Sequence, residues 1–118
     1  MSTIGQNFIA GGWHNGHTKV ENFNPSDIGD VVGHYAQADH AQLDTALDAV
    51  RSAKRKWITT VLEPRQKILM SIGNELIERR VELGTLLSRE EGKPLSEGVG
   101  EVFRNGQFFT HYVSGNPE

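Results

Sequence analysis

The chain has 118 residues, 36% of them apolar and 23% charged, with a formal net charge of −3. That length suits one domain able to bury roughly two-thirds of its unfolded surface, and the acidic balance argues against general nucleic-acid affinity, which needs clustered cations. Cysteine is absent, which removes disulfides, thiolate metal sites and a cysteine nucleophile. No run approaches the ~20 apolar residues of a membrane span, and no basic segment followed by an apolar core opens the chain, so a cytoplasmic location without membrane or nucleic-acid partners is expected.

Residues 1–6 read as a loose leader. Asn7-Phe8-Ile9-Ala10-Gly11-Gly12-Trp13 then reads as a short strand, a Gly-Gly turn and the start of a return strand. Asn15-Gly16 is a second hairpin signal, because Asn-Gly suits a turn with positive φ at both central positions. Lys19 to Phe23 alternates polar and apolar side chains, as a half-buried strand does. Asn24 to Asp30 is a dense turn cluster, and Val31 to Ala36 is the next strand. Residues 1–36 are thus expected to form small β-hairpins, marginal alone and in need of a partner surface.

Asp39 is a good N-cap, and Gln42 completes a capping box. Leu43, Ala46, Leu47, Val50, Ala53 and Trp57 then recur at helical spacing, predicting an amphipathic helix over 40–58. Its Arg51, Lys54, Arg55 and Lys56 read as a solvated basic face. Pro64 opens a second helix, whose stripe is Ile68, Leu69, Ile72, Leu76 and Ile77, with Arg79 and Arg80 near its C-terminus, where cations meet the dipole favourably. A third helix, 81–91, carries Leu83, Leu86 and Leu87. Gly92 sits where a left-handed cap is wanted, and Pro94 can start the next helix at its first position. That fourth helix, 95–114, bears Val99, Val102, Phe103 and Phe109. Its glycines at 98, 100 and 106 each lower helicity by ~1 kcal/mol and are read as close-packing points. Gly115-Asn116-Pro117 ends it. Small hairpins followed by four amphipathic helices make an α+β chain, with a β-hairpin segment at 1–36 and a helical segment at 37–118.

Chemistry is sparse. There is no strand-to-helix glycine fingerprint and no phosphate loop; Gly98-x-Gly100 falls inside a helix. Among the five histidines, His14 and His17 have metal-compatible spacing, but no third ligand lies near them in sequence. Glu90 and Glu91 diverge by about 100° on a helix and cannot form a facing pair. Lys93 beside them has its charged form favoured, the wrong direction for an amine nucleophile. Ser88 has no histidine in local reach. No catalytic residue and no cofactor-binding residue is assigned.

The order of the pieces carries more than any one of them. An N-x-I-x-G-x-W hairpin at 7–13 is followed by Asn24-Pro25-Ser26 and Gly29-Asp30-Val31-Val32. A helix ending at Trp57 comes next, then Arg65, then a long helix to Arg79-Arg80. Leu83-x-x-Leu86-Leu87-x-x-Glu90-Glu91-Gly92-Lys93-Pro94 follows, and last Glu97-x-x-x-Glu101 in a phenylalanine-rich helix. From about residue 6 to 115 this resembles the N-terminal part of the NAD(P)-dependent aldehyde dehydrogenases, in particular the branch acting on α-ketoglutaric semialdehyde and related semialdehydes.

The resemblance implies a partial cofactor-binding domain whose helices cover a nucleotide-binding sheet encoded elsewhere. Such enzymes are several times longer, and their catalytic cysteine, general-base glutamate and glycine-rich cofactor segment lie beyond where this chain stops. The chain alone is therefore expected to bind neither NAD nor NADP and to be inactive. The resemblance also implies a monovalent-cation site using Asn22 or Phe23 and Glu90, completed by a ligand this chain lacks. Val99, Phe103 and Phe109 match a region bordering the family's aldehyde entrance, although core packing is the preferred reading of these phenylalanines. The expected partner is the remainder of the enzyme or a second copy. The alternative reading is a non-enzymatic helical assembly or binding module.

Overall fold

The computed structural model describes residues 4–114, in the order β1 (Ile4–Gly5), β2 (Asn7–Ile9), β3 (Gly12–His14), β4 (Thr18–Asn24), β5 (Asp27–Gln37), α1 (His40–Thr59), α2 (Leu62–Glu78), α3 (Arg80–Glu91) and α4 (Leu95–Ser114). The expected α+β order holds. The chain forms two compact units, Met1–Thr59 and Thr60–Glu118.

In the first unit β2 and β3 pair antiparallel, with Phe8 opposite Trp13 and Ile9 opposite Gly12. That register leaves Ala10 (φ 54°) and Gly11 (φ 84°) as the two-residue loop, the double positive φ that matches strand twist. The turn is therefore Ala10-Gly11, one residue earlier than the Gly-Gly pair suggests. Neither Asn15 nor Gly16 has positive φ. Gly16 is required instead by crowding, since a Cβ there would lie 2.5 Å from the backbone N and O of Gln37.

β4 and β5 form the longer hairpin, closed at Asn24 opposite Asp27. The turn chemistry expected over Asn24 to Asp30 is present: the Ser26 N–H donates to Asn24 Oδ1 (2.9 Å) and the Gly29 N–H to Asp27 Oδ1 (3.1 Å). The strand nevertheless starts at Asp27 rather than Val31, because register shifts between Asn22 and Asn24 absorb the irregularity. Ile4–Gly5 joins the other edge of β5 in parallel. Positions 4 and 5 are thus not loose leader; positions 1–3 lie outside the described residues, as does Gly115-Asn116-Pro117.

Asp39 caps α1, its Oδ1 accepting from the Gln42 N–H at 2.8 Å. The Gln42 side chain does not turn back to complete a capping box. Its Nε2 donates to the Asn15 carbonyl at 2.7 Å, and its Oε1 accepts from Asn7 Nδ2 at 3.2 Å, so it ties the helix to the short hairpin. Beyond that tie α1 buries no residue.

In the second unit a single residue, Arg79 (φ −89°, ψ 12°), separates α2 from α3. Pro64 lies in the first turn of α2, where a missing N–H costs nothing. Both helices seat on α4 through glycine. A Cβ on Gly73 would lie 2.9 Å from the Gly106 carbonyl, and one on Gly84 would lie 2.6 Å from the Cα of Val99. The buried positions among the described residues are Gly73, Gly84, Gly98, Gly106 and Val102. Gly98 and Gly106 are the close-packing points the helix pattern implies. Gly100 is not, since a Cβ there meets nothing within 4 Å.

This is a core made of backbone contacts. Val102, 8% exposed, is the one apolar side chain in the buried class among the described residues. Large side chains stand out in both units, including Trp13 at 67%, Val50 at 64% and Tyr112 at 78%.

Candidate functional site

The corner between α3 and α4 gathers charged groups around Lys93. Gly92 takes the left-handed conformation (φ 69°, ψ 23°), and its N–H donates to the Ser88 carbonyl at 2.8 Å, as a glycine cap should. The Pro94 carbonyl accepts from the N–H groups of Glu97 and Gly98. Pro94 is therefore the cap of α4, one position before the helical start expected of it.

This turn aims Lys93 back across the corner. Its Nζ lies 2.5 Å from Glu101 Oε2 and 2.6 Å from Glu91 Oε2, with the lysine side chain 20% exposed. The hydrogen bond to Glu101, then that to Glu91, pushes the amine pKa up to about 12. Lys93 is thus locked as an ammonium ion and is no nucleophile, for the reason expected, though with Glu101 rather than Glu90 as the second carboxylate. Glu101 follows Lys93 by two turns of chain and a change of helix, so only its place in the Glu97-x-x-x-Glu101 motif hinted at it.

The sign of the pH effect follows from the raised pKa. The folded amine holds its proton more tightly than the unfolded one, so this ion pair stabilises fully below the ordinary lysine pKa of 10.5. Its contribution disappears as pH rises through about 12. Lys93→Met is expected to lower the melting temperature at neutral pH and to make little difference above pH 12. Melting curves of both proteins across that range check it.

Beside the corner runs an open groove of about 400 Å³, lined by Leu76, Leu83, Leu86, Leu87, Val102 and Phe109, with Glu90, Glu101 and Asn105 on its rim. At the far end of α4 a second, wholly apolar hollow is lined by Leu69, Phe108, Phe109, Tyr112 and Val113. Phe108 and Tyr112 stack at 6.4 Å across its mouth. Phe103 is 39% exposed.

At the α2–α3 joint, Arg79 spans both helices. It reaches Glu82 at 2.8 Å and Glu75 at 3.1 Å. The guanidinium is raised further above its ordinary range, chiefly by the hydrogen bond to Glu82, and that bond holds the Glu82 carboxyl below its ordinary range. The three side chains strap α2 to α3, and Glu75 and Arg79 also line an open hollow with Lys67, Ser71 and Asn74.

Asn22 and Phe23 lie on β4 at the register irregularity, in the first unit, and Glu90 on the last turn of α3, in the second. His14 Nε2 bonds the Ile9 carbonyl at 3.2 Å, and the His17 N–H donates to the Gln37 carbonyl at 3.0 Å. Among the described residues no group of three or more histidine, aspartate or glutamate side chains converges to hold a metal. Ser88 Oγ donates to the Pro94 carbonyl at 3.4 Å. Gly98 abuts the Gly84 carbonyl inside a helix pair instead of opening a phosphate-binding turn.

Comparison with known proteins places this arrangement. A sequence model of the aldehyde dehydrogenase family matches residues 13–116. The α-ketoglutarate semialdehyde dehydrogenase of Haloferax volcanii is 34% identical over 116 residues, covering 97% of this chain and 24% of the relative. The N-succinylglutamate 5-semialdehyde dehydrogenase of Chromobacterium violaceum is 38% identical over 97 residues, 80% of this chain and 20% of the relative. The crystal structure of an NAD-dependent benzaldehyde dehydrogenase from Corynebacterium glutamicum superposes with a TM-score of 0.85 at 28% identity, over 92% of this chain and 24% of that one. The chain thus spans about a quarter of the length of the proteins it matches.

Proposed function

The chain belongs to the aldehyde dehydrogenase family, and from that premise we propose that it is the outer part of the cofactor domain of an NAD- or NADP-dependent semialdehyde dehydrogenase. Its work there is to scaffold. The two units present apolar helix and hairpin faces to a β-layer and catalytic segment supplied by the rest of such an enzyme. The parental reaction is hydride transfer from an enzyme-bound thiohemiacetal to the nicotinamide, followed by thioester hydrolysis. This chain supplies no nucleophile to that reaction, because it has no cysteine and its one part-buried, ion-paired lysine is locked as a cation.

The observation that carries this reading is the exposure of large apolar residues on every helix, against a core reduced to glycines and Val102. Large apolar side chains exposed along every helix mark faces made to be covered. The same observation supports self-association as a second outcome, in which another copy covers the faces. An assay of the purified chain with succinylglutamate or α-ketoglutarate semialdehyde and either nicotinamide cofactor is expected to give no reduced nicotinamide above blank. Turnover above blank overturns the proposal.

By the same resemblance, Asn22 or Phe23 and Glu90 are carried over as monovalent-cation ligands of the whole enzyme, which draws a further ligand from outside this chain.

A further inference from the structure

We propose that the outer edge of β4 pairs antiparallel with the same edge of a second copy of this chain, in a register centred on Val20. β4 is the terminal strand of the order β1-β5-β4, and among the described residues no strand pairs with its other side. Thr18, Lys19, Val20 and Glu21 are all exposed, and the strand contains no proline. Such an edge offers unpaired N–H and C=O groups to another chain.

The side chains select a two-fold partner and one register. Centring the pair on Lys19 sets lysine against lysine, and centring it on Glu21 sets glutamate against glutamate, both unfavourable when directly opposite. Centring it on Val20 sets each Lys19 opposite Glu21 of the second copy and Val20 opposite Val20. The regular part of the β4–β5 ladder, Thr18 to Asn22, has its midpoint at Val20, before the register shifts begin.

The pairing also extends ladders that already exist. Glu21 lies opposite His34 on β5 and meets its Nε2 at 3.0 Å. In the dimer Lys19 of the second copy takes the other side of that carboxylate, 52% exposed as it stands. On the opposite face Val20, 49% exposed, lies opposite Tyr35. The two copies therefore build a continuous Tyr35–Val20–Val20–Tyr35 row across a single sheet.

The absence of cysteine allows a direct test on the whole chain. Val20→Cys is expected to give a disulfide-linked dimer under mild oxidation. Thr18→Cys, whose partner in this register is Asn22, gives little. In the Val20→Cys background, adding Lys19→Glu or Glu21→Lys reverses one member of each facing pair and cuts the yield about tenfold, the effect of a cross-strand charge reversed twice over. An equimolar mixture of these two variants restores Glu–Lys facing at both positions and recovers the dimer. Equal cross-linking through residues 18 and 20, or a mixture no better than its components, overturns the proposal. The apolar helix faces promote association at neither cysteine selectively, so the result is read independently of the scaffolding role.

Discussion

Gly84→Val is expected to unseat α3 from α4 and to abolish cooperative unfolding of the helical unit. A Cβ at Gly84 falls 2.6 Å from both the Cα and the N of Val99. These are backbone atoms in the middle of a helix and have no rotamer to retreat into. Gly84→Ala already places one methyl group in that space and is expected to cost about 1–3 kcal/mol, the usual range for overpacking. Gly98→Ala belongs with it, since its Cβ meets the Gly84 carbonyl at 2.5 Å. Gly73→Ala is milder, because its nearest neighbours stand at 2.9 Å and include the Phe109 side chain.

Gly100→Ala runs the other way. With open space around it, the alanine gains up to ~1 kcal/mol of helix propensity and meets no clash. Urea denaturation followed by far-UV circular dichroism ranks the four. Helices merely rich in flexible glycines would gain stability from alanine at every one of these sites. Helices notched for one another gain only at Gly100.

Replacing Leu43, Leu47 and Val50 together by glutamine is expected to leave the stability of the isolated chain within about 1 kcal/mol of its starting value, as surface substitutions do. In a helix seated on its own core, each such change removes apolar burial and costs about 2–5 kcal/mol when cut back to alanine. Here the three side chains are 51%, 44% and 64% exposed, and α1 has no buried residue. What the triple variant loses is association, since its stripe no longer offers apolar area to another surface. Denaturation midpoint and sedimentation, measured on one preparation, separate the two effects. A loss of several kcal/mol would mean that α1 already rests on a core within this chain.

The helices were legible because periodicity and punctuation agree. Leu83, Leu86 and Leu87 mark one face of α3, and Gly92 ends it in the left-handed conformation the pattern requires. Glycine itself was ambiguous. Gly98, Gly100 and Gly106 look alike in sequence, yet two sit against backbone and one faces open space. What distinguishes them is the partner helix, which local spacing does not encode.

The hairpins were harder for the same reason. Asn15-Gly16 carries a turn signal, but its glycine answers to the backbone of Gln37, a residue far along the chain. Ile4–Gly5 has no strand pattern of its own and is a strand only because β5 accepts it. The Lys93 site was half legible. Two adjacent glutamates predicted a charged lysine, and the fold replaced one of them with Glu101. The cation ligands implied by family resemblance, Asn22 or Phe23 with Glu90, fall in different units, and a residue pattern within one helix or strand carries no information about whether such groups meet.

Sedimentation velocity of the purified chain across a concentration series, with an apolar dye present, tests most directly whether these helix faces are built to be covered. Dye binding in dilute solution, with the sedimentation coefficient rising as the protein is concentrated, is the predicted result. A single compact monomer at every concentration, indifferent to the dye, would contradict it.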